Sequence, residues 1–257
     1  MRRLTVPIFV ALAAILASAA QGEVAQKGNL RVSFDGRLSP RELPRDRLAP
    51  VTAHLASSIR NVDGGDPPPL RSISIAVNRQ GQVSLAGLAT CPATELQQTT
   101  TDAALESCRP ALVGRGRFVA KVVFPGSTPI PAEGQALAFN SRSRGRPALL
   151  LHIFSSSPIR ITFVLPFTIS RLPQGRFGTV FSAAIPRIAS DLGYITDIEL
   201  TIGRKYRYRG QPRSFLSARC AAPPGFRSAF FPLARTTFAF ADGRSLTTTI
   251  DRDCRVR

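Results

Sequence analysis

The chain has 257 residues, 44% of them hydrophobic, with 34 basic and 16 acidic side chains and a formal charge of +18. That is enough apolar material for a sizeable core. With two histidines and four cysteines, it excludes histidine-rich metal centres and leaves few residues for nucleophilic chemistry.

Residues 1–22 read as a secretory signal. Arg2 and Arg3 form the positive end, Leu4–Leu16 the apolar run, and Ala17-Ser-Ala19 the small-residue cleavage site. The run is short for a membrane span, and no second one follows. The expected product is a single β-rich domain over 23–257, secreted and extracytoplasmic. There 32 basic residues remain against 16 acidic ones. Only Lys27, Lys121 and Lys205 are lysines, so the excess is arginine, spread along the chain without clustering.

The stretch Asn29–Asp35 alternates Leu30, Val32 and Phe34 as a first strand, and three prolines break the segment 36–50. Val51–Ile59 fits a strand or a helix, and its alternation after Pro50 favours a strand. Asn61–Pro69 is a turn in which Asp63 and Asp66 lack the spacing of a calcium loop. Leu70–Asn78 sets Ile73, Ile75 and Val77 against Ser72, Ser74 and Ala76, with a short partner at Gln82–Leu85.

Cys91–Gly116 is the one long segment with helical character. Thr94-Glu-Leu-Gln97 matches a capping box, and Asp102–Glu106 are good helix formers, but Thr99–Thr101 between them weaken a helix. A straight helix from 91 to 108 would hold its ends roughly 25 Å apart, whereas a disulfide needs Cα atoms within about 7 Å. Either Cys91 and Cys108 pair and the helix folds back near Thr99–Thr101, or the helix is straight and each cysteine pairs elsewhere. We expect the first. Of three possible connectivities, the expectation is Cys91–Cys108 with Cys220–Cys254.

Gly114-Arg-Gly116 has neither the third glycine nor the following helix of a nucleotide loop, so a turn or bulge is expected. Strands follow at Arg117–Phe124, Gln135–Asn140 and Ala148–Phe154. In Pro158–Ile169 six alternate apolar residues share a face and Pro166 signals an edge or bend. Further strands fall at Arg176–Ile185, Tyr194–Ile202, Arg213–Cys220 and Thr236–Phe240. A turn-rich connection through Pro186, Asp191 and Gly193 joins the first two of these. For the last hairpin, a three-residue loop Ala241–Gly243 pairs Phe238 with Leu246 and Ala234 with Ile250. That register keeps the apolar residues on one face and puts glycine at the left-handed position. About ten short strands, one helical insertion and no βαβ rhythm predict an all-β fold. We expect an antiparallel sandwich or open barrel with a disulfide-closed helical insertion.

Few residues of this chain offer chemistry. His54 and His152 lie far apart, and His152 sits on one strand face between Leu150 and Phe154, where a structural role is the default. No H-x-x-x-H, C-x-x-C or G-x-S-x-G occurs, no catalytic residue or metal ligand emerges, and no cofactor is called for. Asp251 and Asp253 read as a solvated strand end. The best candidate binding surface is Arg204, Lys205, Tyr206, Arg207, Tyr208 and Arg209. Extended, it places Lys205, Arg207 and Arg209 on one face, and Tyr206 and Tyr208 on the other with Arg204. Such interleaving can grip a backbone and stack bases or sugar rings. It equally describes a charged edge strand with tyrosines at the core boundary.

The elements FDGRLSP at 34–40, LPR at 43–45, Cys91 and Cys108 with ALVGRG, LSARC ending at Cys220, FADGR at 240–244 and Cys254 come in a telling order. In it the chain resembles a group of exported, β-rich proteins of GC-rich bacteria with no established activity. That resemblance implies a fold and no site. Three functions follow as expectations: a non-catalytic surface or binding module, a binder of anionic polymers or a cell-envelope component through the 204–209 strand, and a hydrolase whose carboxylates meet only in the fold.

Overall fold

The computed structural model describes residues 23–186 and 193–257. The proposed signal at 1–22, and Asp191 of the predicted connection, lie outside them. The chain runs through β1 (Glu23–Lys27), β2 (Leu30–Ser39), β3 (Glu42–Leu43), β4 (Ala49–Pro50), β5 (Thr52–Asn61), β6 (Leu70–Asn78) and β7 (Gly81–Val83). A helical excursion containing α1 (Thr101–Cys108) follows, and then β8 (Leu112–Val122), β9 (Ile130–Ser143), β10 (Arg146–Ser155), β11 (Ile161–Arg171) and β12 (Phe177–Ala184). The chain ends with β13 (Gly193–Ile202), β14 (Lys205–Tyr208), β15 (Gln211–Ser214), β16 (Leu216–Ala218), β17 (Ser228–Phe240) and β18 (Ser245–Val256).

Thirteen strands form one sheet in the order β1-β2-β5-β13-β8-β9-β10-β11-β12-β6-β17-β18-β3. Every pairing in it is antiparallel except the short β18–β3 contact. The fold is therefore all-β, and it is a single curled sheet, an open barrel, where a two-sheet sandwich was the other expectation. Curling follows from the alternation. The apolar set of each strand points to one side, and the right-handed twist of neighbouring strands brings the two ends of a long sheet round to face each other. Leu38 near one end of the order and Leu233 near the other line the same cavity. The ends meet through side chains. Arg252 on β18 donates from Nε to the Gly36 carbonyl on β2 at 3.1 Å and pairs with Asp35, while Arg244 Nη1 donates to the Lys27 carbonyl and to Asn29 Oδ1. A small sheet in the order β4-β16-β7 covers one end, placing Val51, Val83, Leu216 and Ala218 against the interior.

The helical excursion packs on the outer wall. Cys91 and Cys108 are joined with Cα atoms 5.5 Å apart, and Cys220 is joined to Cys254 at 5.6 Å. The chain reverses where the threonines lie: a 3-10 turn at Ala93–Glu95 gives way to Gln98 at φ 57° before α1 begins. The predicted cap is wrong in position. Thr94 lies inside the 3-10 turn and caps nothing, while Thr100 caps α1 by accepting from the Ala103 amide at 3.3 Å. The reason is Pro92, which starts a tight turn two residues before Thr94 could serve.

This cover explains why two strands are apolar throughout. On β9 and β10, Ala136, Ala138, Leu149, Leu151 and Ile153 face the interior side, while Leu137, Phe139 and Leu150 are buried outside against Cys91, Leu96 and Ala104. The strand expected at Gln135–Asn140 is correspondingly longer, Ile130–Ser143. The segment 114–116 lies in β8, with a bulge between Leu112 and Gly114. A Cβ at Gly116 would stand 1.8 Å from the Glu199 carbonyl oxygen, so β13 approaches where only glycine fits. Pro166 pairs with β10 at Leu150 and lies before the β11–β12 ladder, which begins at Thr168, so its missing N–H leaves no ladder bond unmade. The last hairpin has the predicted register, Phe238 opposite Leu246 and Ala234 opposite Ile250, with Gly243 at φ 82°.

Candidate functional site

The inward side chains converge on a cavity of about 130 Å³ behind the covering sheet. Leu55 (β5), Val77 (β6), Leu149 (β10), Phe167 (β11), Leu200 (β13) and Leu233 (β17) supply walls from six strands, and Val83 and Leu216 supply the floor. The strand alternation aims these residues inward. What remains unfilled is the middle of a ring too wide for leucine and valine to span. Polar groups in the lining are few. Asn78 donates from Nδ2 to the Pro232 carbonyl at 3.0 Å and accepts from the Gln80 amide at 2.7 Å, so both ends of its amide are engaged in the wall. A second hollow of about 100 Å³ lies toward the other end, bordered by Phe118, Ile153, Phe163 and Phe240 and, at its rim, by Ser155, Lys121 and Tyr194. There Ser155 Oγ donates to the Ser157 carbonyl and Tyr194 donates to the Asp66 carboxylate. Burial, together with the charge it faces on Asp66, pushes the Tyr194 phenol well above the ordinary range.

The 204–209 strand is placed on the surface as a separate hairpin. β14 breaks from β13 at Gly203 and pairs with β15, Tyr206 opposite Arg213 and Tyr208 opposite Gln211. Arg204 is turned inward, donating from Nη1 to the Arg109 and Leu112 carbonyls at 2.9 and 2.8 Å, where it fastens the end of the excursion. Tyr206 donates to the Ala86 carbonyl at 2.9 Å, and the Tyr208 ring lies so close to Gly87 that a Cβ there would meet it at 2.1 Å. Both rings are half-buried. Lys205, Arg207 and Arg209 are exposed, with Arg209 at φ 52° in the turn and its guanidinium 5.3 Å from the Tyr208 ring centre.

The other chemistry-bearing residues are dispersed. His54 lies on the outer face with Nδ1 3.0 Å from Thr201 Oγ1. His152 is sealed under the excursion with Nε2 3.1 Å from the Thr99 carbonyl, which also accepts from Thr162. Among the described residues no three of His, Cys, Asp and Glu gather within reach of one metal ion, and all four cysteines are bridged. Asp35, Asp197, Glu199 and Asp242 each face an arginine, and Asp63 accepts from Asn29. The Arg117 hydrogen bonds hold Glu199 below its ordinary pKa, and those from Asn29 and the Gly65 amide do the same for Asp63. Asp251 and Asp253 are exposed. Reasoning from the sequence singled out the hairpin and missed the cavity, whose lining comes from strands far apart in the chain. The only sign of it is the clean alternation of apolar side chains, which an ordinary core shares. No family model, curated protein or solved structure matches the chain.

Proposed function

We propose that this chain is an exported, non-catalytic binding protein whose ligand site is the interior of the open barrel. The observation that carries the reading is the cavity of about 130 Å³ at the level of Leu149, Phe167 and Leu200, bordered almost wholly by apolar side chains, with the Asn78 amide in its wall already engaged at both ends. Well-packed interiors leave few voids larger than a water molecule, and barrels of modest width are a recurrent means of enclosing one small ligand. Export is supported by the signal-like residues 1–22 and by two buried disulfides, which persist in oxidising compartments. No helix among the described residues is long and apolar enough to cross a membrane. The test is to recover the protein from the extracytoplasmic fraction, extract it with organic solvent and analyse the extract by mass spectrometry. A small molecule in stoichiometric amount, absent from an Ala234→Leu variant with a reduced cavity, is the expected result. An empty extract from freshly recovered protein, together with no response to any compound in a binding screen, would defeat it.

Exposed basic side chains on the hairpin favour a second function, the binding of an anionic polymer. Ion pairs among the described residues engage Arg60, Arg117, Arg244 and Arg252, which leaves Lys205 and Arg207 facing water on the hairpin. Binding of an acidic polysaccharide or nucleic acid there would weaken steeply with added salt. Binding that is absent at low ionic strength would remove this reading.

A further inference from the structure

Resting on the reading of the barrel interior as a ligand site, we infer that the ligand class is a small, uncharged, hydrocarbon-rich molecule about the size of one aromatic ring. Size comes first. The cavity measures about 130 Å³, close to the apolar cavity of about 150 Å³ in another protein that stays dry and takes up benzene or xenon. It is well short of the roughly 300 Å³ at which drug-sized sites begin, so fatty chains and polycyclic ligands are too large.

Polarity comes second. A ligand hydroxyl, amide or carboxylate would leave water on entry and need a partner in the wall. Six of the strands facing the cavity present Leu55, Val77, Leu149, Phe167, Leu200 and Leu233. Of the polar side chains at the cavity's border, Asn78 already donates to the Pro232 carbonyl and accepts from the Gln80 amide. Gln82 and Ser217 stand together on the covering sheet, Gln82 exposed to solvent, away from the leucine and phenylalanine walls. A charged ligand would be stranded without a counter-ion. A hydrocarbon meets no such penalty, because it restores the dispersion contacts that a void forfeits. Water is held poorly for the same reason, since a buried water needs two to four polar partners.

The third element is shape. Walls contributed by long, mutually paired strands, such as β10 with eight pairs to β9 and eight to β11, cannot collapse inward without breaking ladders. The void therefore persists in the free protein, and occupancy requires no rearrangement of the wall.

Methyl-labelled full-length protein, with both disulfides intact, tests this directly. Benzene, toluene, phenol and benzoate are titrated separately and xenon is applied under pressure, while the methyl resonances of Val77, Leu149, Leu200 and Leu233 are followed. Benzene, toluene and xenon should shift those methyls, phenol should bind at least about tenfold more weakly, matching the cost of one unpaired polar group, and benzoate should not bind. Ala53→Leu and Ala234→Leu, on different strands, should each weaken toluene binding at least about tenfold; if one fails to fold, the other and the wild-type titrations still decide. Shifts of the same methyls by phenol or benzoate, and none by the hydrocarbons, would overturn the ligand class and leave the interior as the site. No shift from any compound or from xenon would overturn both.

Discussion

The His152 ring is closed in between β10 and the reversal of the excursion, fully buried, with Nε2 donating to the Thr99 carbonyl and Nδ1 without a partner among the described residues. A carbonyl only accepts, so Nε2 carries a proton, and with Nδ1 buried without a partner among those residues, the neutral ring is the form that burial favours. Burial pushes its pKa below the ordinary value of 6.5, against a smaller upward pull from the Thr99 bond. As pH falls below about 6.5 the unfolded chain takes up a proton that the folded ring refuses, so stability is full above 6.5 and declines below it until the depressed folded pKa is reached. Urea midpoints measured from pH 7.5 to 5 should fall with acid, and His152→Leu should flatten that slope; an unchanged slope would show the ring to be irrelevant. Thr236 and Thr248 offer the opposite case. They are cross-strand neighbours on β17 and β18, both buried, and neither hydroxyl has a partner among the described residues. Thr236→Val keeps the β-branched shape and removes an unsatisfied hydroxyl, so it should raise stability by about 1 kcal/mol in urea unfolding.

The excursion shows which parts of an element can be read from residues alone. Its reversal at Thr99–Thr101 was legible because covalent geometry forbids a straight helix between paired cysteines, and the last hairpin was legible because a one-residue slip would turn Phe238 and Leu246 to opposite faces. The cap was not legible: Thr94 has the right neighbours, but Pro92 and the left-handed Gln98 redirect the chain before it can act. The lengths of β9 and β17 were underestimated for a related reason. Apolar burial on both faces of β9 and the Pro232–Ala234 irregularity in β17 erase the alternation that marks a strand. The cavity was hidden further still, because β13 inserts between β5 and β8, and β6 between β12 and β17, pairings that no local signal specifies. Since the excursion covers Leu137, Phe139 and Leu150, its disulfide has more to hold than a loop. Replacing Cys91 and Cys108 by alanine should lower stability by about 3 kcal/mol. It should also bring faster proteolysis within 86–111 and new binding of a hydrophobic dye, as the outer faces of β9 and β10 meet water. Loss of stability without those two local signs would mean that the excursion stays docked without its disulfide, through Asn140 and Ser141, which donate to the Ala89 and Cys91 carbonyls, together with His152 and Arg204.

At the scale of the whole molecule, the open barrel depends on a seam that no backbone ladder closes. β2 and β18 approach from opposite ends of the sheet order, and between them Arg252 donates to the Gly36 carbonyl, pairs with Asp35 and reaches Glu23 at 4.0 Å. Its side chain is 27% exposed, against 65% for Arg60 in the exposed pair with Asp197. That contrast predicts unequal effects from the same substitution. Arg252→Met removes a charge-assisted bond to a carbonyl whose lost partner nothing in the seam replaces, and should cost about 1–2 kcal/mol after allowance for the exposure of Asp35. Arg60→Met lies beside a continuous β5–β13 ladder and should cost less than about 1 kcal/mol. Amide hydrogen exchange gives the decisive reading. In Arg252→Met the amides of β1, β2 and β18 should exchange faster while those of β9 and β10, far from the seam, keep their wild-type rates. A uniform acceleration would indicate only global destabilisation, and equal behaviour of the two variants would mean that the curl is held by the packed interior and not by the arginine at its join.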